Sequence, residues 1–361
     1  MLTFIHGADF HLDSPFSGLT PAQAIRRREE QRNLLQRLSD LARTCQAQLI
    51  LLSGDLLDGR HCFRETAQAL LRCLGEMPCP VFLAPGNHDC ATPDSIYNTL
   101  DWPPSVHIFR SDTMERVELP QLGCVVYGRA FLGPRQDTSP LAGFHAQEDN
   151  LFRLGCLHGD LTPNSPYGPI LPQEIADSGL HYLALGHIHQ YSNLQQSGNT
   201  FWAYPGCPEG RGFDETGEKG VLVVQGEPGH VEARFHPLCQ RRYQVAQVDL
   251  TGTSDPLAAI RTALPEDTRS DIYRILLTGE STPLSLRDLE EALTPAFFGL
   301  NLQDHTRVPQ DLWQRRQEDS LTGLFLQEMW TMAQAQPDNP VIQIAARMGL
   351  SALEGGEDLF P

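Results

Sequence analysis

No CxxC pair occurs among the nine cysteines of this chain, which are scattered and odd in number. That excludes a zinc ribbon and a fully paired disulfide framework, and it implies reduced thiols in a cytosolic protein. No uninterrupted apolar run is long enough for a membrane helix, and the amino terminus has no basic region followed by a signal-type apolar segment. The expectation is a cytoplasmic protein with no membrane attachment. Positive charge is also scarce: 27 Lys and Arg face 45 Asp and Glu, a formal net charge of −18. Nucleic-acid binders are usually basic, at least locally, so a polyanionic substrate would need local arginines, bound cations or a partner to attract it. Internal repeats and low-complexity blocks are absent.

What is present is a rhythm of apolar strand, polar tip and helix. "LTFIHGADFHLD", "LILLSGDLLD" and "PVFLAPGNHD" each read as a core strand ending in polar residues. Thr20-Pro21 is an N-cap and first helical residue, after which Leu34, Leu35, Leu38, Leu41, Ala42 and Cys45 recur at helical spacing. From about residue 106 the pattern changes, and "VHIFR", "RVEL" and "GCVVYGRAF" read as neighbouring strands. "LFRLGCLHGD" and "HYLALGHIHQ" resume the strand-with-polar-tip pattern. "NTFWAYPG" and a hairpin turned at Glu227-Pro228-Gly229 read as edge strands. The predicted fold class is α/β, a two-sheet α/β sandwich.

Beyond about 243 the polar tips stop. Strands "YQVAQVDL" and "IYRILLTGE" alternate with helices "SDPLAAIRTAL" and "SLRDLEEAL" in a small α/β accessory domain. One long helix is predicted from Pro309, with an apolar stripe of Leu312, Leu321, Leu324, Phe325, Met329 and Met332. A shorter helix and a frayed acidic tail follow. The expected division is 1–242 as the catalytic domain, 243–305 as the accessory domain, and 306–361 as terminal helices.

Five strand tips carry metal-type ligands: Asp9 with His11, Asp55, Asn87 with His88, His158, and His187 with His189. In parallel strands of one sheet the carboxyl ends share an edge, so residues distant in sequence converge. An extended chain has period two, so the Asp9/His11 and His187/His189 pairs are each expected to project to one side. Leaving His88 aside, seven donors exceed what one four-coordinate zinc uses. If Asp55 bridges, they divide into two sets for two divalent ions, about 3.5–4 Å apart in such sites. Mixed O/N ligation suits Mn²⁺, Fe or Zn²⁺.

The motif order in "GADFHLD", "SGDLLD", "APGNHDC", "CLHGD" and "ALGHIHQ" resembles the calcineurin-like metallophosphoesterases. The resemblance implies that Asp9, His11, Asp55 and His189 hold one metal, and that Asp55, Asn87, His158 and His187 hold the other. It also implies that His88 assists the phosphoryl centre, with Asp89 orienting it. The segment "YPGCPEGRGFDETGEKGVLVV" (204–224) further resembles SbcD-like bacterial DNA repair exonucleases. That group implies Mn²⁺-dependent cleavage of DNA, with Mg²⁺ also admissible as the ion. It also implies an SMC-like coiled-coil ATPase as partner, docked on helices beyond the accessory domain, and a homodimer.

Cys207 departs from the common pattern of that group, standing where serine is common. Asp58 departs from its archaeal and eukaryotic relatives, which carry a histidine there, though bacterial members often have Asp. Cys207, Asp58 and Arg211 are the candidate substrate contacts, with Arg241 and Arg242 as further phosphate-binding candidates. His6, His61, His145 and His181 read as ordinary core or surface residues, and Arg26 to Arg28 as a solvated helix face. Competing functions are a phosphodiesterase or phosphatase for small molecules or phosphoproteins, and a non-catalytic scaffold for the ATPase.

Overall fold

Strands buried on both faces build the amino-terminal half. Strands β1 (Leu2–Gly7), β2 (Leu49–Leu52), β3 (Val81–Leu83) and β4 (Val106–Ile108) lie side by side and parallel. The chain then crosses to a second sheet, formed by β5 (Glu115–Leu119), β6 (Cys124–Gly128), β7 (Phe152–His158), β8 (Tyr182–Gly186), β9 (Gln195–Ser197) and β10 (Thr200–Ala203). Its order is β5-β6-β7-β8-β10-β9. A hairpin of β11 (Gly220–Glu227) and β12 (His230–Pro237) returns to the first sheet, with β11 antiparallel to β1. A computed structural model of the chain describes residues 1–282, 284–337 and 339–353, which fall into two compact units, Met1–Gln240 and Arg241–Pro361.

Period two decides which core each strand residue enters. Phe4, Leu49, Leu51 and Phe82 face the second sheet, meeting Val126, Leu154, Tyr182 and Ala184 between the layers. Their neighbours Ile5, Ile50, Leu52, Val81 and Leu83 face outward, onto Leu34, Leu35 and Leu38 of α1 (Pro21–Thr44) and Leu70 and Leu74 of α2 (Arg64–Gly75). The outer face of the second sheet packs Val125, Tyr127, Leu183 and Leu185 on Ile170 and Ile175. Thr20 caps α1 in a reciprocal box with Gln23.

Three expectations change here. Val106–Ile108 does not neighbour "RVEL" but pairs with β3, because Val106 and Ile108 complete the helix-side core. β10 is internal, and the short polar strand Gln195–Ser197 covers the edge instead. Arg27 is not solvated but fully buried, bonded to Glu30 and Glu209.

In the second unit β13 (Tyr243–Asp249), β14 (Ile272–Thr278) and β15 (Gly299–Asp304) form a parallel sheet. Two short helices, Pro256–Ala263 and Leu286–Leu293, pack on it through Ile260 and Leu293. The expected long helix is broken into Gln310–Gln314, a 3₁₀ turn at Arg315–Gln317, and Leu321–Ala335. Ser320 causes the break by accepting from the Gly323 N–H as an N-cap. A last helix spans Pro340–Leu353, and the expected frayed tail lies outside the described residues. The expected apolar stripe divides: Met329 is buried, whereas Leu321, Leu324 and Met332 are exposed.

Candidate metal centre

The loops after β1, β2, β3, β7 and β8 meet at one edge of the sandwich. Two of them are zipped together, Asp9 N–H to Gly54 O and His11 N–H to Asp55 O, each 3.0 Å. The paired ligands do not converge by strand alternation. Asp9, His11, Asp55 and His187 have φ of 54°, 43°, 50° and 115°, in the left-handed region that non-glycine residues rarely adopt. Strained turns at the strand ends therefore aim these side chains. Gly86 lets the β3 loop close over Asp55, because a Cβ there would strike the Asp55 carboxylate.

The ligand-type atoms form two touching sets. Asp9, His11 and His189 gather in one, with His11 Nε2 and His189 Nε2 3.1 Å apart. In the other, Asn87 Oδ1 lies 2.9 Å from His158 Nε2 and 3.2 Å from His187 Nδ1. Asp55 Oδ2 stands between them, 3.8 Å from His11 Nε2 and 3.4 Å from His158 Nε2.

These donors fit cations. His158 Nδ1 donates to Ser53 O at 3.0 Å, so its Nε2 presents a lone pair to the oxygens of Asn87 and Asp55. Acceptors facing acceptors in a buried site call for positive charge between them. The titration behaviour agrees. Burial lowers the His158 pKa to about 4 and, with help from His158, that of His187 to about 4. Burial, Arg211 and His189 hold His11 well below the usual imidazole range. All three rings are neutral, the form that binds metal. Burial pushes Asp9 well above the usual carboxylate range, assisted by the Asp55 charge, and burial raises Asp55 too. Two divalent ions would relieve that penalty.

A supporting layer holds the ligands, and part of it escapes sequence reasoning. His189 Nδ1 lies 2.7 Å from Glu215 Oε1, and His187 Nε2 lies 3.7 Å from Asp160 Oδ2. Asp160 carries a faint signal, a carboxylate two residues beyond His158. Glu215 carries none. Asp58 Oδ1 sits 3.2 Å from His11 Nδ1 and 3.0 Å from Arg211 Nη1, so Asp58 joins this layer.

Other candidates are placed differently from expectation. His88 is exposed at the rim, its ring edge-on to His11 at 4.8 Å and its Nδ1 3.3 Å from Asp58 O. Asp89 does not orient it. Its carboxylate accepts from Gly86 N–H, Leu57 N–H and Tyr97 OH, which pins the loop backbone instead. Cys207 is fully buried, with its thiol toward His189 O, so it offers substrate nothing. Arg211 is clamped by Glu215 and Asp58 and supports ligands rather than standing free. Arg241 is buried over the Phe298 ring, and Arg242 pairs with Asp271 at 2.7 Å.

Comparison with known proteins agrees with this geometry. Residues 2–193 match the family model of the calcineurin-like phosphoesterases. The uncharacterized metallophosphoesterase YhaO of Bacillus subtilis (strain 168) is 30% identical over 310 residues, which cover 82% of this chain and 73% of that protein. The family match spans all five strand tips, and the family's two-metal site needs the donor types that meet here. The chain therefore belongs to the calcineurin-like phosphoesterase family and is a metal-dependent phosphoesterase.

Proposed function

We propose that this phosphoesterase is a two-metal DNA exonuclease of DNA repair, using Mn²⁺ and working with an SMC-like coiled-coil ATPase. The observation that carries the two-metal chemistry is the position of Asp55 Oδ2 between the two imidazole sets. DNA as substrate is supported by the resemblance of residues 204–224 to SbcD-like exonucleases. The ATPase is supported by exposed apolar side chains on the terminal helices: Leu321, Leu324 and Met332 on one, Val341 and Ile344 on the next.

Divalent ions bound here supply an activated water and screen the phosphate charge. The chain's own groups do the rest. Asp55 and Asn87 fix the ligand sets relative to each other. His88 directs Nδ1 at the Asp58 carbonyl, which leaves Nε2 to carry a proton to the departing oxygen. Asp89 holds the backbone of that loop through the Gly86 and Leu57 N–H groups.

The test is incubation with Mn²⁺ and end-labelled DNA, with and without the ATPase. Release of nucleotides is expected, and no release in either case refutes the reading. The net charge of −18 favours a second reading, a phosphodiesterase for small molecules. Cyclic nucleotides and p-nitrophenyl esters assayed beside DNA separate the two.

A further inference from the structure

An exposed aromatic ring stands on the segment between Asp58 and α2, its backbone hydrogen-bonded to the turn that follows His11. Phe63 is the N-cap residue of α2 and is 54% exposed. Helices favour Ser, Thr, Asp or Asn at this position, and Phe63 makes no capping hydrogen bond. Asp13 ties down the start of the helix from outside: its carboxylate accepts from Phe63 N–H at 2.8 Å and from the Thr66 hydroxyl at 2.6 Å. Asp13 lies two residues after His11, and Leu12 bridges to Leu57 between the two loops. The Phe63 backbone is thereby anchored to the turn that carries a metal-ligand candidate.

The surroundings of the ring are chemically biased. The Arg28 guanidinium lies 5.8 Å from its centroid, and Arg28 is itself steadied by a bond to Pro15 O. Residues 59–64 read Gly-Arg-His-Cys-Phe-Arg, with no acid, in a chain of net charge −18. Arg60, His61 and Arg64 are exposed. An aromatic face flanked by arginines is the pairing that binds single-stranded nucleic acid, where the ring stacks on a base and the cations follow the phosphates. A protein-docking site would need a wider apolar surround than an exposed ring with the Arg28 guanidinium over its face.

We propose that Phe63 is a stacking platform for an unpaired nucleobase of the strand whose phosphodiester lies at the metal centre, with Arg28, Arg60 and Arg64 supporting that strand. This rests on the reading of DNA as substrate and adds a preference for unpaired ends bearing a base.

The test uses the full chain with Mn²⁺ and, where cleavage requires it, the ATPase. Two single-stranded oligonucleotides are compared, identical except that the terminal nucleotides of one are abasic. The wild type is expected to favour the base-bearing end in kcat/KM by about 5- to 150-fold, the range of one stacked base. Phe63→Ala brings that ratio close to one, and Phe63→Trp keeps it. Thermal melting of both variants confirms that they fold. If the wild type cleaves DNA and Phe63→Ala keeps the wild-type ratio, the platform is refuted while the exonuclease reading stands. If the wild type hydrolyses methyl p-nitrophenyl phosphate but neither oligonucleotide, both fall together. A Phe63→Ala defect that appears only with the ATPase, and equally on both ends, assigns the ring to protein docking and overturns the proposal.

Discussion

Glu215 Oε1 lies 2.7 Å from Nδ1 of His189, and the same carboxylate accepts from Arg211 Nη2 at 2.7 Å. Burial opposes ionisation of Glu215, but hydrogen bonds from His189 and Arg211 override it and hold its pKa well below the carboxylate range. An ionised Glu215 keeps the proton of His189 on Nδ1 and turns the Nε2 lone pair toward His11. Glu215→Gln keeps the shape and removes the charge. It is expected to weaken metal binding about 10- to 100-fold, as is typical when such an outer partner of a ligand is lost. Competition with a chelator of known affinity measures this, and an unchanged metal affinity would show that Glu215 serves Arg211 alone.

Asp55 and His88 are neighbours with different predicted consequences. The Asp55 carboxylate lies between both ligand sets and also accepts from His88 N–H at 2.9 Å. Asp55→Asn is expected to abolish binding of both ions, because a neutral amide would offer one weak donor in place of the carboxylate that lies between the two ligand sets. His88→Asn is expected to keep both ions and lower kcat about 10²- to 10⁴-fold, the usual contribution of a positioned acid. Elemental analysis of each purified variant, paired with turnover of a p-nitrophenyl ester, separates the two cases. Normal turnover by His88→Asn would remove the acid role.

The fold class and the convergence of strand tips were legible because both rest on local signals. Apolar runs ending in Asp, Asn and His are visible residue by residue, but their ends are not gathered by one parallel sheet as expected: β1, β2 and β3 belong to the first sheet, β7 and β8 to the second, and the packing of the two layers brings the tips together. The means of convergence was not legible: period-two spacing suggested extended pairs, yet Asp9 and His11 sit in left-handed turns that no local propensity announces. Glu215 was missed because its role exists only once "GFDETGE" folds back onto His189, some 26 residues away. Arg27 misled for the opposite reason. Three arginines in a row on a helix read as a solvated face, and the carboxylate that buries the middle one, Glu209, is 182 residues distant.

That buried arginine makes a stability prediction. Arg27 Nη1 bonds Glu30 at 3.0 Å and Glu209 at 2.7 Å, and Nη2 bonds Gly210 O at 2.9 Å, all out of water. Arg27→Met removes the buried cation that Glu30 and Glu209 share, leaving Glu30 its 3.3 Å pair with Arg26, and is expected to cost about 3–5 kcal/mol. Adding Glu209→Gln removes one of the two carboxylate charges, so the double variant is expected to recover part of the loss. Urea unfolding of the single and double variants at neutral pH measures both. A single variant within 1 kcal/mol of wild type (roughly the effect of an ordinary surface pair) would mean that water reaches the cluster.

His6 gives the folded state a pH dependence of definite sign. Its Nε2 donates to Leu185 O at 3.1 Å and its Nδ1 accepts from Tyr182 OH at 2.8 Å, so the neutral ring links the two sheets. Burial, only partly opposed by the Leu185 carbonyl, lowers its pKa from 6.5 to about 3. Between those values the unfolded chain takes up a proton at this histidine that the folded chain refuses. Stability is therefore lost as pH falls below 6.5, by about 1.4 kcal/mol per pH unit, until the folded ring itself protonates near pH 3. His6→Gln retains a donor and an acceptor but does not titrate. The difference in unfolding free energy between wild type and His6→Gln should thus shift by about 2 kcal/mol in favour of the variant between pH 7 and pH 5. Taking that difference cancels every other titrating group common to both proteins. A difference that stays constant over the range would mean that the folded ring titrates with an ordinary histidine pKa and that the bond to Leu185 opens to water.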